Sequence, residues 1–213
     1  MYYGCDSNSD SFPCGDSTSI FYIGRMGGGI TAGGTGWNQD AVNRASGPFT
    51  WGYWDIEGPG VVNATTTSQA YAWGQQQAKA AESAWRANTY IPNWTIFGDV
   101  ESGNPGWGTN YTLNQNVYLG FIEQLNADLS YSGVYSSPGE WSKIMGSSFS
   151  ASPAKTVWSA DWTISSPQCS TCPTSITGSG FGGFAPSIWQ YTGNTGSGSP
   201  CSADLDCAEN LPG

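Results

Sequence analysis

The sequence predicts an α/β fold whose strands close into a barrel. Eight short segments rich in aromatic and β-branched residues recur along the 213-residue chain. Helical stretches separate the central ones, which is the pattern of a parallel sheet. After about residue 146 the helical periodicity stops and Pro, Ser, Gly and Thr dominate, so the last strands are joined by loops. In order, the strand segments are Tyr2–Asp6, Ile20–Gly24, Phe49–Ile56, Thr95–Glu101, Ser132–Ser136, Thr156–Ala160, Ser187–Tyr191 and Ala203–Asp206. Between the third and fourth, Thr67 to Arg86 is rich in Ala and Gln. Ala70, Trp73, Ala80, Ala81 and Ala84 there give one narrow buried face of a long helix. Between the fourth and fifth, Thr112-Leu113-Asn114-Gln115 has the form of a capping box. Leu113, Val117, Phe121, Leu125 and Leu129 then recur every four residues and form a stripe that packs on the barrel wall. Too few residues follow position 146 to bury a second core, so residues 1–213 are expected to form one domain.

The fourth segment carries the chemistry. Thr95-Ile96-Phe97 leads through Gly98 into Asp99-Val100-Glu101 and breaks in the turn-rich Ser102-Gly103-Asn104-Pro105-Gly106. Side chains alternate along a strand at about 3.3 Å per residue, so Asp99 and Glu101 point the same way with Cβ atoms roughly 6.6 Å apart. Carboxyl groups about 5 to 9.5 Å apart are the working pair of glycoside hydrolysis. The chain has no histidine, which removes Ser-His-Asp triads, Cys-His dyads and histidine-ligated zinc and leaves carboxylates as the acid–base groups. A D-x-E on a strand can also be a solvated face. The apolar residues before it point instead to a strand covered on both sides. Asp55-x-Glu57 is a second such pair with a less apolar approach, read as substrate-binding at best.

Composition narrows the partners. A formal net charge of −10 with six Lys and Arg excludes a phosphate-tracking surface, so neither nucleic acid nor an anionic membrane is an expected partner. No apolar run approaches the length of a membrane span. The start, Met1-Tyr2-Tyr3-Gly4, has no basic n-region or apolar h-region, so any secretion signal is expected to have been removed. Six cysteines fall in three close pairs, Cys5 with Cys14, Cys169 with Cys172 and Cys201 with Cys207, and an even number in loops indicates disulfides and an oxidising compartment. Of the fifteen possible pairings the three local ones are favoured. Cys169-x-x-Cys172 lacks the histidine or second C-x-x-C of a zinc site, so no metal is expected.

Active sites of such barrels sit at the C-terminal ends of the strands. Reading those ends collects Asp6, Trp54-Asp55-Ile56-Glu57, Asp99, Glu101, Tyr135, Trp158 with Asp161 after it, Trp189-Gln190-Tyr191, and Asp204 and Asp206. Aromatic faces stack on sugar rings and carboxylates accept hydroxyl hydrogen bonds, so these residues would line a glycan cleft.

Six motifs in order, Tyr3-Gly4-Cys5-Asp6, Ile96-Phe97-Gly98-Asp99-Val100-Glu101, Gly133-Val134-Tyr135-Ser136 followed by Trp141, Val157-Trp158-Ser159-Ala160, Ile188-Trp189-Gln190-Tyr191 and Ala203-Asp204-Leu205-Asp206, make the chain resemble the family 25 glycoside hydrolases, the muramidase-type lysozymes. The resemblance implies a modified TIM-type barrel of five β/α units followed by three strands with few helices. It implies Glu101 as proton donor, Asp99 and Asp6 as the acids supporting it, and Asp204 at the end of the last strand. The implied reaction is cleavage of the β-1,4 bond between N-acetylmuramic acid and N-acetylglucosamine in peptidoglycan, by a secreted monomer with no cofactor. The sequence departs from the family at the second strand, where Phe21-Tyr22-Ile23-Gly24-Arg25 precedes a Gly-rich stretch from Met26 to Gly36 read as a flexible rim, and at Trp54-Asp55-Ile56-Glu57. A second reading follows from those departures: a non-catalytic cell-wall glycan-binding module on the same barrel. The retaining or inverting outcome stays open at this level.

Overall fold

The computed structural model describes residues 1–7, 19–30, 49–87, 95–128, 131–162, 172–193 and 204–211. Its strands are β1 (Tyr2–Ser7), β2 (Phe21–Gly28), β3 (Phe49–Asp55), β4 (Thr95–Asp99), β5 (Tyr131–Ser136), β6 (Thr156–Ala160), β7 (Ile188–Thr192) and β8 (Asp204–Ala208), and they close in sequence order into a barrel. β1 to β7 run parallel, and β8 lies antiparallel between β7 and β1. Helices α1 (Thr67–Ala87), α2 (Tyr111–Asp128) and α3 (Pro138–Met145) follow β3, β4 and β5, and among the described residues none follows β6 or β7. This is the modified α/β barrel that the loss of helical periodicity foretold. β2 runs past Gly24 to Gly28 through a register shift at Arg25 and Gly27, taking in the first part of the Gly-rich stretch. Residues 31–36 of that stretch lie outside the described residues.

Strand parity sorts the side chains. Phe21, Ile23, Trp51, Tyr53, Phe97, Tyr135, Trp158 and Ile188 fill the barrel, while their alternates Trp54, Ile96, Val134 and Val157 face the helices. The stripe of α2 is buried at Val117, Phe121 and Leu125, and Leu129 lies outside the described residues. The expected face of α1 is buried at Ala70, Trp73, Ala81 and Ala84, and partly at Ala80. Helix α3 has no counterpart in the sequence reading, because eight residues give barely two turns of periodicity. Its start is nonetheless encoded: Ser137 caps it, accepting from the Glu140 backbone N–H at 3.1 Å, and Pro138 occupies the first turn.

The expected local disulfides at the C-terminus require correction. Cys172 is bonded to Cys207, with Cα atoms 5.6 Å apart, so neither Cys169–Cys172 nor Cys201–Cys207 forms. The reason is parity and direction: Cys207 sits inside β8 on its outer face, in a cluster with Tyr3, Tyr22, Trp189 and Tyr191 that the segment at Cys172 and Ile176 covers. Cys5 joins the same cluster and is disulfide-bonded. Cys14, Cys169 and Cys201 lie outside the described residues.

One carboxyl is buried away from the barrel mouth. Glu82 of α1 is 7% exposed, and its Oε1 has no hydrogen-bond partner. Burial first, then the Asp128 carboxylate of α2, pushes it up to about 7. A carboxyl raised on folding costs nothing below its unfolded value near 4.5, where it is protonated in both states. It costs progressively more as pH rises through 7. Glu82→Gln should therefore melt higher than the parent at pH 8 and together with it at pH 4, as thermal scans at the two pH values would show.

Candidate active site

Asp6, Asp99, Glu101, Tyr135, Trp158 and Asp204 line one cavity of about 210 Å³ at the barrel mouth. Asp6 ends the inward parity of β1, opposite Asp204 in the ladder. Asp99 ends β4, and Glu101 follows two residues later with Val100 turned out to the helices between them. Asp204 reaches the mouth for a reason opposite to the expected one: β8 runs antiparallel, so its start, not its end, lies at the opening. Asp206 is consequently deeper in the barrel and fully buried.

A hydrogen-bond network ties these groups together, and Gln190 is its hub. Its Nε2 donates to Asp6 Oδ2 at 2.7 Å, while its Oε1 accepts from the Tyr135 hydroxyl at 3.0 Å and from Trp162 Nε1 at 3.1 Å. Trp158 Nε1 donates to Asp206 Oδ1 at 2.7 Å. The Asn104 side chain donates to the Asp99 backbone carbonyl at 3.0 Å, yet Asp99 Oδ1 is buried without a partner. Sequence reasoning placed Gln190 at a strand end without giving it a role, and did not name Tyr53 or Trp162. The signal for Gln190 was present: a lone amide between Trp189 and Tyr191, on the inward parity of β7.

Four expected residues do not line this cavity. Trp54 and Trp189 have outward parity. Trp54 is buried under the helices, its indole donating to the Gly29 carbonyl at 3.2 Å. Trp189 is buried behind β7, donating to the Asp161 carbonyl at 2.8 Å. Collecting whole tripeptides at strand ends ignored that neighbours face opposite ways. Asp55 points inward but is held by Arg25, whose Nε and Nη2 reach its Oδ2 at 2.8 and 2.6 Å. The second D-x-E is thus divided: Glu57 is bound through its backbone to Gln77 and Trp73 of α1. Asp161 Oδ2 accepts from the Ser179 backbone N–H at 2.6 Å. It lines an adjoining cavity of about 600 Å³ that shares Glu101 and Trp162 with the first and continues over Glu140.

Electrostatics keep protons on this cluster. Asp6 and Asp99 are 6% and 5% exposed. Burial pushes Asp6 well up, with Asp204 adding to it and the Gln190 hydrogen bond opposing. Burial likewise pushes Asp99 up, followed by the charges of Glu101 and Asp55. Glu101 is raised by burial, then by Glu140, Asp55 and Asp204. Glu140 goes the other way: burial would raise it, but hydrogen bonds from Ser102 and the Lys143 ammonium hold it below its ordinary value. No lysine or arginine lines either cavity among the described residues. Carboxyls this close, without a counter-cation, cannot all ionise at neutral pH.

The backbone matches known structures over nearly its whole length. A muramidase from Trichobolus zukalii superposes with a TM-score of 0.67 at 16% identity, over 99% of this chain and 95% of that one. A bacterial lysozyme from Streptomyces coelicolor gives 0.66 at 19% identity, over 98% and 92%. A family GH25 lysozyme from Aspergillus fumigatus gives 0.63 at 17% identity, over 99% and 94%. The chain has the family 25 lysozyme fold. At sequence level no protein-family model and no curated protein matches it. The family 25 fold brings the strand ends of β1 and β4 and the start of β8 to one opening, which is where the acids of this chain meet.

Proposed function

We propose that this chain is a secreted, monomeric, single-domain glycoside hydrolase that cleaves the β-1,4 bond between N-acetylmuramic acid and N-acetylglucosamine in bacterial cell wall. The observation that carries this reading is the position of Glu101. It borders both cavities, so sugar units seated in the two chambers would set their glycosidic oxygen over its carboxyl. Trp162 separates the chambers and is 56% exposed, leaving an aromatic face for a sugar ring. The likeness of the fold to muramidases and lysozymes supports the substrate class.

Chemically, Glu101 protonates the leaving oxygen. It is less buried than Asp6 and Asp99 and is raised by burial and then by its carboxylate neighbours, both of which favour its protonated form. Asp6 and Asp99 face the same space from the barrel floor and stabilise the positive charge that develops on the ring as the bond breaks. Gln190 fixes Asp6 and, through Tyr135 and Trp162, the walls around it. The test is release of reducing ends from purified peptidoglycan by the full chain. Steady release supports the hydrolase. Binding to the same peptidoglycan with no reducing ends from pH 3 to pH 9 selects the glycan-binding module instead.

A further inference from the structure

Asp6 on the cavity wall is paired with a second carboxyl deeper in the barrel, which the reaction scheme does not use. Asp206 is 0% exposed, on the inward parity of β8, about 6.6 Å further into the barrel than Asp204. Trp158 Nε1 holds its Oδ1, while its Oδ2 receives no N–H or O–H donor. The carboxyl that acts on it most strongly is Asp6 on β1, with which it shares a side-chain hydrogen bond and one of whose oxygens is taken by Gln190. The polar and titratable groups facing the pair are acids or neutral donors: Asp204 on the same strand, Tyr53 on β3, Asp99 on β4, Tyr135 on β5, Trp158 on β6 and Gln190 on β7, with Glu101 acting on Asp6 from beyond β4. None of them is a cation. Two acceptor oxygens facing each other in a dry interior bond only if one carries a proton.

We infer that Asp206 is that proton carrier: it stays protonated, donates its O–H to Asp6, and thereby keeps the Asp6 carboxylate ionised and oriented toward the cavity. The asymmetry of the two partners decides the direction. Asp6 accepts from Gln190 and opens on the cavity, so it is the better site for charge, whereas Asp206 has one indole donor and no solvent. The hydrogen bond accordingly lowers Asp6 and raises Asp206. Asp206 is a positioning residue acting through Asp6, and the inference rests on the hydrolase reading only for its kinetic consequence.

Two substitutions separate this role from mere space filling. Asp206→Asn replaces the O–H by an amide N–H in the same shape; Asp206→Ala offers no donor. If Asp6 must be ionised for turnover of purified peptidoglycan, the acidic limb of kcat/KM should stay within about 0.3 pH unit of the parent in the Asn variant. In the Ala variant it should move up by about one unit, which is about a tenfold loss below the limb. Independently of any activity, carboxyl 13C NMR of the aspartate-labelled full chain should show a protonated aspartate at pH 7 whose signal is missing from Asp206→Asn. An ionised Asp206 at pH 7, or equal limb shifts in the two variants, overturns the inference. A chain inert on peptidoglycan that still shows the protonated signal defeats the hydrolase reading and leaves the carboxyl pair standing.

Discussion

Glu101→Gln should lower the rate of peptidoglycan turnover by about a thousandfold while leaving the protein folded. Losing a general acid costs about 10² to 10⁴ in rate, and glutamine keeps the shape of the side chain at the junction of the two cavities while removing its transferable proton. Stability moves the other way. Glu101 is raised in the folded state by burial and by Glu140, Asp55 and Asp204, so its ionisation opposes folding above its unfolded value, and removing it relieves that cost at neutral and alkaline pH. The variant should melt no lower than the parent at pH 7 and should still bind peptidoglycan fragments. Lysis within threefold of the parent would remove Glu101 from the chemistry. A variant that neither lyses nor binds would place its role in substrate seating.

Gly120→Ala should lower the melting temperature by about 4 to 8 °C, the net of a backbone overlap and a gain in helix propensity. Helices α1 and α2 approach so closely that a methyl at Gly74 would overlap the Val117 carbonyl, and one at Gly120 would overlap the Tyr71 carbonyl. Both obstacles are backbone atoms, which cannot rotate away. Alanine in a helix interior is normally favoured over glycine by about 1 kcal/mol, so an open site would gain stability. Overpacking a fixed contact costs about 1 to 3 kcal/mol or more. At about 2 to 4 °C per kcal/mol for a chain of this size, the penalty dominates the propensity gain. Gly103→Ala, with nothing within 4 Å of its added methyl, is the control and should melt with the parent. Equal melting of Gly120→Ala and the parent would show that the helix pair can separate without loss.

The eight strands were legible because each is a short apolar run between turn residues, and the carboxylates Asp6, Asp99 and Glu101 were legible because acids ending such runs stand out. Trp54 and Trp189 were misplaced by the same reading, since a strand end names several residues while parity admits only alternate ones to the mouth. Gln190 was named at its strand end but given no role, because an amide carries no chemistry of its own; its importance is the three partners it holds, which lie on β1, β5 and just after β6.

The alternation of strands and helices, the loss of helices in the last third, and the acids without a histidine follow from the order of residues alone. These are written in local patterns of polarity with periods of two and 3.6 residues. The tertiary structure alone decided the direction of β8, which puts Asp204 rather than Asp206 at the opening and buries Asp206 against Asp6. It also decided that Cys207 bonds Cys172 and not its neighbour in sequence. Both are long-range outcomes: barrel closure fixes which strands become neighbours and which way each faces, and no local period carries that information.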